Sequence, residues 1–262
     1  MALQMQHFNS GGIDIAFIDE RVLPAGSEPG KLPVLLIHGF ASNVTANWVD
    51  PGWVRTLTGA GYRVVALDNR GHGQSAKLYD EAAYGPRLMA EDARGLLDHL
   101  KIGQAHVMGY SMGARVTAFL ALAHPLRVRS AVFGGLGINM IRGLAGTRPI
   151  ANALLAPSLE DVTNATARTF RVFAEATHSD LKALAACILS SREPITAEMV
   201  AALTQPVLVA VGDKDVIGGP AGELAALIPG AEAFVIEGRD HMRAVGDLRF
   251  KEAVLRFYQR VG

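Results

Sequence analysis

Short runs of apolar residues alternate along this chain with longer stretches in which apolar residues recur every three or four positions. Residues 13–18 alternate apolar and polar side chains, as a strand with one buried face does. Gly11-Gly12 just before them suits a tight turn, so the N-terminal segment is predicted to fold back as a hairpin. Residues 34–37, 64–67, 106–108, 131–133, 207–211 and 234–236 are continuous apolar runs. Such runs fit strands covered on both faces, the usual condition of a parallel sheet. Between them, Met89, Ala93, Leu96, Leu97 and Leu100 fall at i, i+4, i+7, i+8 and i+11, one stripe of an amphipathic helix. Residues 112–124 are rich in Ala, Leu and Phe and stop before Pro125. Residues 223–228 form a short helix ended by Pro229-Gly230, and residues 244–260 a C-terminal one. Strand–helix alternation predicts an α/β protein, a mostly parallel sheet of about eight strands with helices on both faces.

One stretch departs from this rhythm. Residues 138–203 contain no strand-like run, only helical patterns, best developed at 163–176, 181–189 and 196–203 and punctuated by Gly143, Gly146, Pro149, Pro157 and Pro194. They are predicted to be an all-helical insertion between two sheet strands, with residues 1–137 and 204–262 forming the core.

Composition narrows the function classes. The chain has 262 residues, 50% hydrophobic and 19% charged, enough apolar material for a sizeable core and too much for a disordered chain. No uncharged apolar run approaches the roughly 20 residues of a membrane span. Residues 1–8 lack the basic start and apolar centre of a secretory leader. Lys and Arg balance Asp and Glu at 25 each, without the basic excess of a nucleic-acid binder. Arg127/Arg129 and Arg168/Arg171 are short, isolated clusters that read as solvated surface. The single cysteine, Cys187, excludes an intrachain disulfide and reads as a buried small hydrophobe, with the reducing cytoplasm as the default location. No HExxH, CxxC or clustered His/Asp spacing suggests a metal, and Gly135 and Gly137 lack the third glycine of a dinucleotide loop. No cofactor is expected.

The strongest chemical signal is Gly109-Tyr110-Ser111-Met112-Gly113, between the strand at 106–108 and the helix at 112–124. A serine hydroxyl is a weak nucleophile until a base takes its proton. On a sharp strand-to-helix turn its oxygen stands clear of the backbone, and glycines two positions to either side permit the close packing such a turn needs. The helix N-terminus then lies beneath the reacting centre, where its amides favour negative charge.

His38-Gly39-Phe40 directly follows the strand at 34–37. Together with Asp68-Asn69-Arg70-Gly71-His72-Gly73-Gln74-Ser75, the Ser111 pentapeptide, Gly212-Asp213-Lys214-Asp215 and the late His241, it makes the chain resemble the α/β-hydrolase family. These pieces span nearly the whole chain in the family's order of nucleophile, acid, histidine. The resemblance implies that Ser111 is the nucleophile, that His241 is its base, and that the backbone amides of Phe40 and Met112 form an oxyanion hole. For the acid the family pattern favours Asp215, with Asp213 the second choice and Asp240 a third. His38 and His72 are read as structural, and the 68–75 stretch as a fold signature. One departure is local: the family's glycine directly before the histidine is here Asp240, with Gly238 displaced by two.

The resemblance further implies that the 138–203 insertion caps the sheet edge, where Leu154, Leu155, Phe170 and Phe173 can line an acyl pocket. The expected activity is hydrolysis of a small apolar carboxylic ester through an acyl-enzyme on Ser111. A lactonase, a C–C bond hydrolase, a cofactor-free perhydrolase, an acyltransferase or a slow-turnover hydrolase-like binding protein would use the same residues. A dehalogenase or epoxide hydrolase is disfavoured, because those relatives carry Asp where this chain has Ser111. The expected partner is a small-molecule ester, with neither nucleic acid nor a membrane span involved; the pattern is silent on oligomeric state.

Overall fold

The computed structural model describes residues 4–21, 30–143, 146–190 and 193–262. Three residues of the stretch judged not to be a leader, residues 22–29 of the core, and residues 144–145 and 191–192 of the helical insertion lie outside that description.

Eight strands form one sheet: β1 (Gln6–Ser10), β2 (Ile13–Glu20), β3 (Val34–Ile37), β4 (Val64–Leu67), β5 (Ala105–Tyr110), β6 (Val128–Gly134), β7 (Val207–Gly212) and β8 (Glu232–Ile236). Their order is β1-β2-β4-β3-β5-β6-β7-β8. The N-terminal hairpin is present, with Ser10 opposite Ile13 and both Gly11 and Gly12 at positive φ, the conformation a two-residue hairpin turn requires. β1, β2 and β4 pair antiparallel, and every later pair is parallel.

The runs in β3 to β7 are buried on both faces, as their composition predicts, whereas in the edge strand β8 Val235 is exposed and only Ile236 of residues 234–236 is fully buried. In β3, Leu35 and Ile37 join one core cluster while Val34 and Leu36 join the other. The first cluster takes up α2 (Pro86–His99) and α3 (Met112–Ala123), with the predicted stripe of Met89, Ala93, Leu96 and Leu97 fully buried. The second holds α1 (Trp53–Gly59) and α11 (Leu248–Val261), whose Trp53, Phe250 and Phe257 pack together. In α1, Trp53, Val54 and Leu57 fall at i, i+1 and i+4 on one buried face, and Trp53 packs edge-on against Trp48 and Phe250.

Between β6 and β7 the described residues contain helices and no strand: α4 (Asn139–Arg142), α5 (Thr147–Leu155), α6 (Ala165–Ala176), α7 (Leu181–Ser190) and α8 (Ala197–Ala201). Arg171 of α6 ties this group together. Its Nη1 donates to the carbonyls of Ala153, Leu154 and Ala156 at the end of α5, where the helix dipole favours a cation. Cys187 is buried in α7, and burial raises its thiol pKa, so it is an inert hydrophobe.

Two helix boundaries differ from expectation. The predicted 223–228 helix is α9 (Ala221–Ala225), started earlier by Pro220. The predicted 244–260 helix is split into α10 (His241–Ala244) and α11. Asp247 makes the break: its carboxylate caps α11 by accepting from the Arg249 amide at 2.8 Å. Among the described residues no helix is long and apolar enough to cross a membrane.

This topology predisposes one place to bind ligands. The chain moves from β3 out to β4 and then returns to the other side of β3 as β5. Crevices at the carboxyl ends of strands where winding reverses are the usual ligand sites of open α/β sheets. Here the loops after β3 and β5 meet there.

Candidate active site

Ser111 sits between β5 and α3 with φ 55° and ψ −114°. Few L-residues adopt this conformation, and holding it costs of order 1–3 kcal/mol. The turn is clamped from three sides. The Ser111 amide donates to Gly134 O of β6 at 2.8 Å. A Cβ on Gly109 would lie 2.0 Å from Gly113 O, and one on Gly113 would lie 1.9 Å from Ile37 O. Both glycines are therefore needed for β3, β5 and α3 to approach this closely. Ser111 occupies the helix N-cap position yet makes no capping bond, so its hydroxyl is free for another partner.

That partner is His241, whose Nε2 lies 3.0 Å from Ser111 Oγ. On the other side of the ring Nδ1 is 2.7 Å from Asp215 Oδ2. An ionised carboxylate only accepts, so Nδ1 carries the proton and Nε2 is left to accept from the serine. Asp215 is itself fixed: its Oδ1 accepts from the amides of Ile217 at 2.9 Å and Gly218 at 2.8 Å. Both Asp215 and His241 are buried. Two neighbours place the histidine. The buried hydroxyl of Tyr110 donates to His241 O at 2.6 Å. Asp240 caps α10 by accepting from the Arg243 amide at 2.8 Å, which presents His241 as the first residue of that helix. The aspartate in the family's glycine position is thus a helix cap.

The other carboxylates face elsewhere. Asp213 Oδ1 accepts from the Gly238 amide at 2.6 Å, holding the loop after β8. The structure thus brings Asp215 to His241, and not Asp213 or Asp240.

The loop after β3 completes the floor. The Gly39 amide donates to Asn47 Oδ1 at 3.0 Å, and His38 Nδ1 donates to Gly39 O at 2.7 Å. His38 Nε2 accepts from the Asn69 amide at 2.9 Å, which fixes its neutral tautomer. Among the described residues no hydrogen bond engages the amide of Phe40 or of Met112. His72 is held in its own loop by Arg70 O, and Asp68 accepts from the amides of Val44 and Gln74. His38 and His72 are both fully buried and make structural contacts.

Their burial has a consequence for pH. Burial lowers His38 to about 4, and burial with the neighbouring His38 lowers His72 to about 3, from an ordinary 6.5. Between those values and 6.5 the unfolded chain binds the extra protons. The stability they confer is therefore complete above about pH 6.5 and falls with acidification, by about 1.4 kcal/mol per pH unit per histidine. Asp68 beside His72 works in the opposite sense, because burial raises its carboxyl. Asp247, held well below the usual range by Arg249 and Arg239, loses its contribution only below about pH 4. The urea midpoint is expected to be lower at pH 5 than at pH 7; equal midpoints would contradict neutral buried imidazoles.

Two cavities, of about 320 and 330 Å³, meet at Ser111 and share Phe40, Phe170 and Ile217 as walls. The first adjoins His241 and is lined by Phe173, Val216, Met242 and Val245. The second passes Met112 to Arg115, Asn139 and Thr147. Helix α6 leans over both: Phe170 packs edge-on against Phe40 at 5.9 Å, and Thr177 Oγ1 donates to Ala41 O at 2.8 Å. Of the four side chains expected to line a pocket, Phe170 and Phe173 do so. Leu154 is buried in the α5 packing, and Leu155 is 55% exposed. Among the described residues no group of three or more His, Cys, Asp and Glu could hold a metal ion.

Sequence reasoning missed Tyr110, Asn47 and Arg115. Tyr110 carried no signal beyond its place beside Ser111. Arg115 carried one: it lies four residues after Ser111, on the same helical face.

Residues 33–141 match the family model described as alpha/beta hydrolase fold. Epoxide hydrolase B of Mycobacterium tuberculosis is 38% identical over 118 residues, 42% of this chain and 32% of that protein. The 2-hydroxymuconate semialdehyde hydrolase of a Pseudomonas species is 38% identical over 108 residues, 41% of this chain and 38% of that protein. The chain thus spans less than two-fifths of the length of each of these relatives. Among solved structures, a thermophilic esterase from Thermogutta terrifontis superposes with a TM-score of 0.76 at 23% identity, covering 98% of this chain and 99% of that one. A bromoperoxidase from Bacillus anthracis gives 0.78 at 21% identity, covering 98% and 100%.

Proposed function

We propose that this chain, which carries the α/β-hydrolase fold, is a serine hydrolase that cleaves a small carboxylic ester through an acyl-enzyme on Ser111. One observation carries the reading: the run from Ser111 Oγ to His241 Nε2 at 3.0 Å and from His241 Nδ1 to Asp215 at 2.7 Å. Ser111 Oγ attacks the ester carbonyl carbon as its proton passes to His241 Nε2. Asp215 holds the tautomer and stabilises the imidazolium. The tetrahedral oxyanion is received by the amides of Phe40 and Met112; each such donor contributes about 3–4 kcal/mol to lowering the barrier. Collapse breaks the ester C–O bond, and the leaving alcohol takes the proton from His241. Water then attacks the acyl-enzyme with His241 as base, releasing the acid and restoring the Ser111 hydroxyl.

The helical segment at 138–203 acts as a cap, with Phe170 and Phe173 enclosing the apolar cavity. The match to an epoxide hydrolase covers 42% of this chain, and Ser111 at the nucleophile position favours an acyl-enzyme. A fluorophosphonate probe is expected to label the wild-type protein at Ser111 and leave Ser111→Ala unlabelled. Absence of labelling in the wild type would refute the reading. A panel of esters of increasing acyl length would then define the size of the acyl group.

A further inference from the structure

We propose that Arg115 forms an anion subsite beside Ser111, and that the substrate is an ester whose acyl chain ends in a carboxylate. The proposal rests on the serine-hydrolase reading above and specifies its substrate class.

Arg115 lies one turn after Ser111 in α3, so the two side chains share a face. It lines the second cavity and is half-buried, and that burial lowers its pKa. The guanidinium has five N–H donors, yet its hydrogen bonds go to two carbonyls, Met140 O at 2.6 Å and Glu193 O at 3.3 Å. Among the described residues it forms no ion pair with a carboxylate. The Glu193 carboxylate is turned to Arg87, and the cavity's other guanidinium, Arg142, is bound to Glu223 at 2.6 Å. Among the described residues no Asp or Glu lines this cavity. Carbonyl dipoles orient a partly buried cation without neutralising it, and a charge drawn partly out of water without a counter-charge is unfavourable. A planar guanidinium is also the group best matched to a carboxylate, through two parallel hydrogen bonds. The buried hydroxyl of Thr147, in the same cavity wall, has no protein partner among the described residues.

The side of the substrate follows from the proton's path. His241 must protonate the leaving oxygen, and it lines the first cavity and not the second. The leaving alcohol therefore occupies the apolar first cavity, and the acyl chain runs toward Arg115. A glutaryl chain, with three methylenes between the ester carbon and its carboxylate, tests that placement.

Monobenzyl glutarate and benzyl pentanoate carry the same alcohol and five-carbon acyl groups, differing in the terminal carboxylate. Wild type is expected to favour the hemiester in kcat/KM. Arg115→Gln is expected to lower kcat/KM on the hemiester about 30-fold more than on benzyl pentanoate, the worth of one charge-assisted hydrogen bond. Arg115→Lys, which keeps the charge and loses the fork, is expected to fall between and serves if the glutamine variant does not fold. Equal losses on both esters would make Arg115 a strut between α3 and the insertion and overturn the proposal. If wild type cleaves neither ester, fluorophosphonate labelling of Ser111 decides the serine-hydrolase reading separately, and free glutarate decides the subsite. A rise in melting temperature that depends on Arg115 supports it, and no rise in wild type overturns it.

Discussion

Alanine at Ser111 or at His241 is expected to lower kcat on a small ester about a million-fold, and asparagine at Asp215 about ten-thousand-fold. Asparagine at Asp213 is expected to leave kcat near the wild-type value. The ranking follows from what each group touches. Without Ser111 no acyl bond forms, and without His241 the hydroxyl keeps its proton. Asn at 215 would leave the packing intact but offer its amide N–H where His241 Nδ1 needs an acceptor, favouring the tautomer with the proton on Nε2. That proton would face Ser111 Oγ, 3.0 Å away. Asp213, bonded to the Gly238 amide, touches none of these groups. Because the three act as a unit, the Ser111/His241 double alanine variant is expected to be no slower than either single one. Steady-state kinetics on purified variants with matched urea midpoints decides the matter. A multiplicative double variant, or Asp213→Asn as damaging as Asp215→Asn, would sink the assignment.

The second large effect is on stability. Gly113→Ala is expected to cost at least about 4 kcal/mol, the range reserved for severe steric or cavity defects, and to deplete folded protein. The new Cβ would stand 1.9 Å from Ile37 O and 2.7 Å from His38 O. Both obstacles are backbone atoms at the end of β3, a strand held by β4 on one side and β5 on the other. Relief would require α3 to lift from the sheet, which would also move Ser111. Gly222, in α9, is the matched control: an added Cβ there meets nothing within 4 Å, so alanine should be neutral or slightly stabilising. Soluble yield and urea unfolding of both variants test the contrast; a wild-type midpoint for Gly113→Ala would refute it.

Much of this was legible in the sequence, for a physical reason. Apolar runs report burial on two faces, so β3 to β7 and the α2 stripe could be read directly; β8 shows the same kind of run but lies at the sheet edge with Val235 exposed. The Gly-x-Ser-x-Gly turn was legible because only glycine permits the backbone contacts at 109 and 113. What stayed hidden depends on where side chains turn. Asp213 and Asp215 are equivalent in composition; only the folded loop sends one to His241 and the other to the turn after β8. Leu154 and Leu155 look alike beside Phe170, yet the rotation of α5 buries one and exposes the other, and brings neither to a cavity. Asp240 departs from the family's glycine because it caps a four-residue helix that no periodicity announces. That the Arg115 guanidinium meets carbonyls and no carboxylate among the described residues is a tertiary fact, set by where Glu193 and Glu223 point.

The backbone of Ser111, at φ 55° and ψ −114°, sets durability and chemistry against each other at a single position. Glycine would relax there, and among the described residues the hydroxyl bonds only the imidazole it faces. Lineages of this chain selected for heat resistance alone would drift toward glycine at 111, gaining robustness as they fell silent. Any screen for hardier variants must therefore retain turnover as a criterion.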